Sequence, residues 1–411
     1  MCLESCKIDN NTFCALEPLW LIVTNRVDHN VRKKTFMRVR KVIIHAALVL
    51  MVFLLIGTPG FSQNTSNDKL KVAVARMTHD HVGFILDKAK DNPAYMVLTG
   101  IYEPDQALVE KYSKKYKLDP SLFFDDFEKM LNQVKPEAVL AFGSIYEHLS
   151  VVEACAPKGI HVMVEKPLAV NMEHALKMKA LADQYSIRLL TNFETSWYPS
   201  VAKSWQMVND SNYVGQLRKV VVHDGHEGPK EIGCSSEFLE WLTDPVLNGG
   251  GAIIDFGCYG ANLMTYLTKG EEPLSVKASI RQLKPDMYPD VDDDATIIVS
   301  YPASECIIQA SWNWPFGRKD MEIYGEKGYI MADNRNDVRM RHRGQENELS
   351  RRIAADDVGV YEDPFSYMAD VIHGKVKMSN YDPYSLENNM IVVKILDAAR
   401  ESAKKGVTIK F

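Results

Sequence analysis

Residues 70–87, LKVAVARMTHDHVGFILD, run from six nearly all-apolar residues directly into a segment whose apolar residues have helical spacing. An apolar run of this length is typical of a strand that is buried on both faces of a parallel sheet. The same alternation continues along the chain, with later apolar runs at residues 95–102, 138–142, 161–165 and 188–193. The sequence therefore predicts a doubly wound parallel sheet, in which ligands bind at the carboxyl ends of the strands.

The pattern changes after residue 215. Short β-rich runs such as ATIIVSYPA (295–303) and CIIQASWNW (306–314) follow one another, separated by turn signals. Runs of this kind without regular helices between them predict an open, mainly antiparallel sheet. The acidic stretch DVDDD (290–294) is interpreted as a solvated segment that leads into one of these strands.

Composition limits the possible partners. The chain has 411 residues, of which 46% are hydrophobic and 25% are charged, as expected of a globular protein. Its net charge of −6 argues against a nucleic-acid-binding protein, which is usually basic. Small molecules are the partners that this composition favours.

The amino-terminal region has the features of a secretory signal. From residue 37, a basic segment precedes an apolar run at residues 42–56 and a small-x-small cleavage sequence. We therefore predict a signal peptide at residues 37–62 and a non-native extension at residues 1–36. Cleavage would leave an exported, periplasmic protein without stable membrane insertion. The alternative is a membrane anchor, although the apolar run is short for a span.

Two stretches in the rest of the chain indicate chemistry. HVMVEKPLAV (161–170) places Glu-Lys-Pro at the end of a predicted parallel strand, and NGGGAIIDFGCYGANL (248–263) opens a helix with a glycine-rich loop. Together with MEIYGEKGYI (321–330), these stretches resemble the Gfo/Idh/MocA oxidoreductase family, which is named for glucose–fructose oxidoreductase and inositol dehydrogenase. The resemblance spans residues 69–411.

The resemblance implies a domain organisation. It places a dinucleotide-binding Rossmann domain at residues 69–192 and a substrate and oligomerisation α/β domain at residues 193–385. A C-terminal helix at residues 386–411 is expected to pack back on the Rossmann domain. The open sheet of such proteins often supports a homo-oligomer.

The resemblance also implies three catalytic residues. Lys166 matches the family lysine that lies beside the nicotinamide and the substrate hydroxyl, and Asp255 matches an aspartate of the glycine-rich motif. We expect burial near a positively charged nicotinamide to lower the pKa of Lys166, so that it can accept the hydroxyl proton. Tyr259 stands where many members have histidine, which is similar to the glucose–fructose oxidoreductase branch, and a phenol can also donate a proton.

The cofactor turn departs from the family pattern. The three glycines of G-x-G-x-x-G fall at Arg76, Thr78 and His81, although the helix that follows still offers free N–H groups. Glu103 follows the second strand, where an acidic residue binds the ribose hydroxyls and favours NAD over NADP. The predicted cofactor-binding residues are Arg76, Thr78, His79, His81, Glu103, Ser144, His148, Glu165, Lys166 and Asn192. The predicted substrate-binding residues are Trp197, His223, His226 and Trp314, and no metal site is predicted.

Three functions remain open from the sequence. The first is an exported oxidoreductase that holds NAD tightly and acts on a secondary hydroxyl of a sugar or sugar derivative. The second is a glycosidase or lyase that uses NAD transiently and works through a keto-sugar intermediate. The third is a carbohydrate-binding protein that has lost its cofactor, which the missing glycines favour and the presence of Lys166, Asp255 and Tyr259 opposes.

Overall fold

The computed structural model of the protein describes residues 69–411 as one unit that contains two sheets. The predicted signal peptide and amino-terminal extension lie outside the described residues. None of the helices in residues 69–411 is both long enough and apolar enough to cross a bilayer.

A six-stranded parallel sheet forms the first half of this unit. Its strands are β1 (Leu70–Ala75), β2 (Met96–Tyr102), β3 (Phe123–Phe124), β4 (Ala138–Ala141), β5 (His161–Glu165) and β6 (Leu189–Asn192). They lie in the order β3-β2-β1-β4-β5-β6, which is the order of a dinucleotide-binding sheet. The predicted doubly wound sheet is confirmed, and only the two-residue β3 was too short to predict. Ligands bind where this order reverses, at the carboxyl ends of β1 and β4.

Helices cover both faces of this sheet. They are α1 (Val82–Lys90), α2 (Gln106–Tyr116), α3 (Phe127–Val134), α4 (His148–Cys155) and α5 (Met172–Tyr185). Side chains at the first position explain where several of them begin. The Asp105 carboxylate accepts a hydrogen bond from the Ala107 N–H at 2.8 Å, and Asp126 accepts one from Lys129 N–H at 2.7 Å. Helix α1 has no such side-chain cap at His81.

A nine-stranded sheet forms the second half. Its strands are β7 (Leu217–Gly225), β8 (Ser275–Arg281), β9 (Asp294–Ser300), β10 (Glu305–Ser311), β11 (Arg318–Gly325), β12 (Gly328–Ala332), β13 (Asp337–His342), β14 (Leu349–Arg352) and β15 (Ile409–Lys410). The order is β14-β13-β12-β11-β7-β10-β9-β8-β15, and the pairs are antiparallel except for β7 with β10. The predicted open, mainly antiparallel sheet is confirmed.

The remaining helices lie around this second sheet, except for the helix at Pro364–Ile372, which packs in a core with residues of the first sheet. They are α6 (Pro199–Asn209), α7 (Ser236–Leu242), α8 (Ala252–Asp255), α9 (Gly257–Leu267), α10 (Ala355–Val358), α11 (Pro364–Ile372) and α12 (Leu386–Lys405). Helix α12 runs between the two halves. Val393 packs in a core with residues of the first sheet, whereas Leu396 packs in the core under the second sheet. The C-terminal helix therefore contacts both halves.

Candidate active site

The Glu-Lys-Pro motif lies at the carboxyl end of β5, as predicted. The Lys166–Pro167 peptide bond is cis. Lys166 Nζ donates a hydrogen bond to the backbone carbonyl of Asp255 at 3.1 Å and forms an ion pair with its carboxylate. Trp312 Nε1 donates to the second carboxylate oxygen of Asp255 at 3.0 Å. Lys166 and Asp255 are each only 6% exposed, so the fold brings these two predicted residues together out of water.

The glycine-rich loop sets the position of Asp255. A Cβ atom at Gly251 would lie 1.7 Å from the carbonyl oxygen of Asp292, so only glycine fits there. The Asp292 carboxylate accepts hydrogen bonds from the Gly251 N–H at 2.9 Å and the Ile253 N–H at 2.8 Å. Asp293 is fully buried. The interpretation of residues 290–294 as a solvated segment is therefore wrong for Asp292 and Asp293, whose carboxylates accept backbone N–H bonds, whereas Asp290 is exposed.

The charge state of Lys166 differs from the sequence-based expectation. Burial acts to lower the pKa of Lys166, but the charge and hydrogen bond of the Asp255 carboxylate, together with Glu165 nearby, raise the pKa above its usual range. The ammonium in turn lowers the pKa of Asp255 in spite of burial. The expected depressed pKa of Lys166 is wrong for this arrangement, because the sequence did not show that a carboxylate touches the amine. Lys166 is a cation here and can donate a proton but cannot accept one.

Tyr259 lies one turn after Asp255, in α9. Its ring packs edge-on against Phe193 with centroids 5.3 Å apart, and Lys166 Nζ lies 5.4 Å from the Tyr259 ring centroid. Burial raises the pKa of Tyr259 well above its usual range, so the side chain is a neutral phenol. The three predicted catalytic residues therefore meet at one place.

Two further charged residues lie in this place. Asp224 is the second-last residue of β7, and Lys319 lies opposite it in register on β11. Lys319 Nζ is paired with Glu194 and lies 4.8 Å from the Tyr259 ring centroid. The signal for Asp224 was present in the sequence, because alternation along β7 puts it on the same buried face as Val222.

The turn after β1 has the left-handed backbone conformation that is typical of glycine, although no glycine is present. Arg76 has a φ of 70°, a left-handed conformation that non-glycine residues rarely adopt. Its guanidinium pairs with Glu103 at 2.7 Å, and the Met77 N–H donates to the other Glu103 oxygen at 2.8 Å. Glu103 is 0% exposed. The Glu103 carboxylate points inward at its own turn, so its predicted ribose contact stays a prediction that requires it to leave Arg76.

Helix α7 covers the same turn from the second half. Trp241 Nε1 donates to the carbonyl oxygen of Thr78 at 3.2 Å, and the ring of His79 lies 4.6 Å from that of Phe238. The Ser235 N–H donates to the Asp80 carboxylate at 3.0 Å. Sequence analysis did not predict α7, so this cover was not foreseen.

Polar residues at the ends of β5 and β6 form the next part of the crevice. Glu165 lies 3.0 Å from His81 Nδ1 and accepts a hydrogen bond from the Asn192 amide at 2.8 Å. The ligand atoms of His79, His81 and Glu165 lie within 4.8 Å of one another, a spacing that a metal ion could bridge. The existing bond between His81 and Glu165 gives the same residues an ordinary structural explanation.

Ser144 and His148, both predicted cofactor contacts, lie after β4. The Ser144 hydroxyl and N–H both donate to Glu147, at 3.0 and 2.8 Å. His148 Nδ1 lies 3.1 Å from the carbonyl oxygen of Leu168, and burial lowers the pKa of His148 to about 4. His148 is therefore a neutral imidazole inside the fold.

A cavity of about 680 Å³ opens beside this cluster, at the end of β7 and the start of β11. Its lining includes Tyr198, His226, Lys319, Asp333 and Arg335. Polar and charged side chains of this kind suit a polyhydroxylated ligand. Of the four predicted substrate residues, His226 lines this cavity directly.

The other three predicted substrate residues stand around the cavity. Trp197 and Trp314 lie behind two arginines of its wall. The Arg335 guanidinium is 5.4 Å from the Trp197 ring centroid, and that of Arg318 is 5.7 Å from the Trp314 ring centroid. His223 lies 3.0 Å from the Asp320 carboxylate. These side chains hold wall residues in place and do not form the cavity floor.

Comparison with known proteins identifies the family. A family model described as an oxidoreductase family with an NAD-binding Rossmann fold matches residues 72–193, and the GFO/IDH/MocA C-terminal domain matches residues 205–331. The chain belongs to the Gfo/Idh/MocA oxidoreductase family. The predicted family and the predicted enzyme class, an NAD(P)-dependent oxidoreductase, are confirmed.

Individual Gfo/Idh/MocA relatives are distant. D-xylose 1-dehydrogenase [NADP(+)] of Haloarcula marismortui is 20% identical over 271 residues, which cover 64% of this chain and 71% of the relative. Myo-inositol 2-dehydrogenase of Thermotoga maritima is 21% identical over 300 residues, which cover 72% of this chain and 86% of the relative. The match to trans-1,2-dihydrobenzene-1,2-diol dehydrogenase of Xenopus tropicalis covers 54% of that protein.

Solved structures show the same fold. An aldose-aldose oxidoreductase from Caulobacter crescentus superposes with a TM-score of 0.70 at 19% identity, covering 84% of this chain and 100% of the other. An inositol dehydrogenase homolog from Azotobacter vinelandii, complexed with NAD⁺, gives a TM-score of 0.71 at 16% identity, covering 84% and 98%. Relatives thus include both an NADP-linked enzyme and an NAD-bound structure.

The family cofactor can be tested against the residues of the crevice. Buried polar atoms that have no partner among residues 69–411 include Thr78 Oγ1, Asn192 Oδ1 and Thr195 Oγ1. They lie next to the ends of β1 and β6, where the nicotinamide of a Rossmann fold belongs, so the residues fit a polar group there. At the adenosine end, a fit requires the Arg76 side chain to leave Glu103.

Proposed function

We propose that the protein is an exported oxidoreductase that holds NAD tightly and acts on a secondary hydroxyl of a sugar or sugar derivative. The observation that carries this proposal is the buried unit of Lys166, Asp255 and Trp312, with Tyr259 against it, at the carboxyl edge of the parallel sheet. A bound nicotinamide supplies hydride transfer at this edge. Asn192, Thr78 and Glu165 are the residues that would hold its nicotinamide end.

Lys166 would bind and polarise the substrate oxygen. Two of its N–H bonds are directed to Asp255, which keeps the ammonium charged and fixes its position. The remaining N–H is free to donate to a carbonyl or alkoxide oxygen of the substrate. Because the site is nearly dry, this charge-assisted hydrogen bond stabilises a developing alkoxide more than it would in water.

Sugar-type substrates are supported by the cavity and by the relatives. The cavity beside Tyr259 presents His226, Lys319 and Arg335, which can hydrogen-bond several hydroxyl groups at once. Relatives named for D-xylose and myo-inositol act on polyhydroxylated rings or chains. We further propose a homo-oligomer that forms through the open face of the second sheet, to be checked by light scattering in solution.

NAD is proposed over NADP on the basis of Glu103. When Arg76 releases it, this carboxylate stands after β2, where it can accept ribose hydroxyls and repel a 2′-phosphate.

The second candidate is a cofactor-free carbohydrate-binding protein. The observation that favours it is the closed adenosine end, where Glu103 bonds to Arg76 and to the Met77 N–H. A dinucleotide cannot bind while these bonds persist. The two candidates therefore differ in whether the Arg76–Glu103 pair opens.

The deciding experiment analyses purified protein for released dinucleotide by mass spectrometry after denaturation. Stripped protein is then titrated with NAD and NADP by calorimetry and incubated with sugars and glycosides. We expect NAD to bind, sugars to be oxidised and K166A to lose turnover while remaining folded, although it will be less stable than wild type because Asp255 loses its buried counter-ion. Absence of both dinucleotides, with no uptake of either, would leave only the carbohydrate-binding candidate, and cleaved glycosides would indicate the keto-sugar route.

A further inference from the structure

Most carboxylates of the active site are fully engaged. Asp255 accepts from Lys166 and Trp312. Glu165 accepts from Asn192 and lies against His81, and Glu194 accepts from Tyr198 at 2.6 Å and pairs with Lys319. Each of these groups is held as an anion by its partners, so none is available to take up a proton.

Asp224 is the exception. Its side chain is 1% exposed, and no residue of the described chain donates a hydrogen bond to its carboxylate. Such an arrangement is rare, because a buried polar group without a partner costs free energy of folding. The carboxyl group borders a void of about 10 Å³, next to the large cavity and beside Tyr198 and Lys319.

Several charged or titratable groups surround Asp224. They are Lys319 from β11, Lys166 from the turn after β5, Glu194 before α6, Asp255 from α8, and Tyr259 and Cys258 from α9. Burial raises the pKa of Asp224 well above its usual range, although Lys319 and Lys166 oppose this rise. A carboxyl group in this state can exchange its proton nearer to neutral pH than an exposed one.

The other candidate bases are unsuitable. Lys166 already carries its full complement of protons, and Tyr259 is a neutral phenol. His226 Nδ1 accepts a hydrogen bond from the Gly228 N–H at 2.9 Å, so the ring proton of the neutral imidazole lies on Nε2. Neither the lysine nor the histidine therefore presents a lone pair to the substrate.

We propose that Asp224 is the proton acceptor of the oxidation, a role that rests on the function proposed above. In this step the substrate O–H bond breaks and its proton passes to a carboxylate oxygen of Asp224. The electron pair of the adjacent C–H bond leaves as a hydride to the bound nicotinamide dinucleotide, and the carbon–oxygen double bond forms. Lys166 holds the oxygen throughout and stays protonated. In the reverse direction, the protonated Asp224 returns the proton.

The test compares D224N with E305Q. Glu305 lies in the same sheet, where it forms an exposed ion pair with Lys219 at 3.0 Å, far from the catalytic residues. General-base contributions are about 10²- to 10⁴-fold, so we expect kcat/KM of D224N to fall by that factor and its acid limb to disappear from the pH profile. E305Q should keep the wild-type activity and pH profile.

A second measurement does not depend on turnover. Infrared difference spectra of wild type and D224N without substrate should contain a protonated carboxyl band that persists at pH values where exposed aspartates are ionised. The role of Asp224 alone would be overturned if D224N kept the wild-type kcat/KM and pH profile. It would also be overturned if the carboxyl band assigned to Asp224 titrated like that of an exposed aspartate. Wild-type protein that binds no dinucleotide and turns nothing over would overturn the proposed function and this role with it.

Discussion

Asp255→Asn removes one negative charge from the centre of the site and preserves the size of the side chain. The Asn carbonyl oxygen can still accept the Trp312 N–H, but its NH₂ group then points at the Lys166 ammonium. The lysine would remain only 6% exposed without a counter-ion. Removing one partner of a buried ion pair costs about 3–5 kcal/mol of folding free energy, and the retained Trp312 bond places our expectation near the lower end.

The pH dependence of this cost follows from the two shifted pKa values. The lowered pKa of Asp255 stabilises the fold above the unfolded pKa of about 3.9, and this contribution is lost as pH falls. The raised pKa of Lys166 stabilises the fold below about 10.4, and this contribution is lost as pH rises through the folded value. The difference between wild type and D255N should therefore be largest between these limits and shrink on both sides.

Urea unfolding at several pH values, followed by tryptophan fluorescence, measures this difference. Glu272→Gln is the matched control, because it breaks the exposed Lys394–Glu272 pair with its 2.7 Å contact. Surface pairs contribute about 0–1 kcal/mol, so E272Q should change little. If D255N cost no more than E272Q at pH 7, the buried ion pair would not have the role described here.

Three further changes test separate parts of the structure. Arg76→Gly frees Glu103 and removes a non-glycine residue from a left-handed conformation. We therefore expect calorimetry to give about a tenfold lower Kd for NAD, equal to about 1.4 kcal/mol. An unchanged Kd would mean that Arg76 does not close the site. Burial raises the pKa of Asp382 to about 6, so wild type should lose stability relative to D382N as pH rises from about 4 through 6. If the difference in urea midpoint between wild type and D382N were the same at pH 5 and pH 7.5, this expectation would be refuted. Trp241→Phe removes the hydrogen bond to Thr78 and should cost about 1 kcal/mol with faster amide exchange in the turn, whereas unchanged exchange would show that α7 does not restrain it.

The fold was largely predictable because its signals are local. Apolar runs such as residues 161–165 match β5 residue for residue, since a strand buried on both faces has little freedom in composition. The meeting of Lys166 and Asp255 was predictable from their two motifs, through the family resemblance. Residue pattern alone would have placed only Lys166, at the end of a strand.

What could not be predicted depends on contacts between distant residues. The pKa of Lys166 is raised and not lowered, because Asp255, 89 residues away in the sequence, contacts its amine. Asp292 looks solvated in sequence, yet it binds backbone N–H groups of a loop 41 residues earlier. The orientation of the Glu103 carboxylate toward Arg76 could not be predicted either, because each of the two residues, taken alone, is compatible with an ordinary cofactor contact.

The central claim is that this chain still binds its dinucleotide despite the lost glycines. Mass spectrometry of denatured, freshly purified protein, combined with calorimetric titration of the stripped protein, tests it most directly. We expect released NAD, or NAD binding with one site per chain, and tighter binding by R76G. Neither NAD nor NADP in the purified protein, and no binding of either to wild type or R76G, would contradict it.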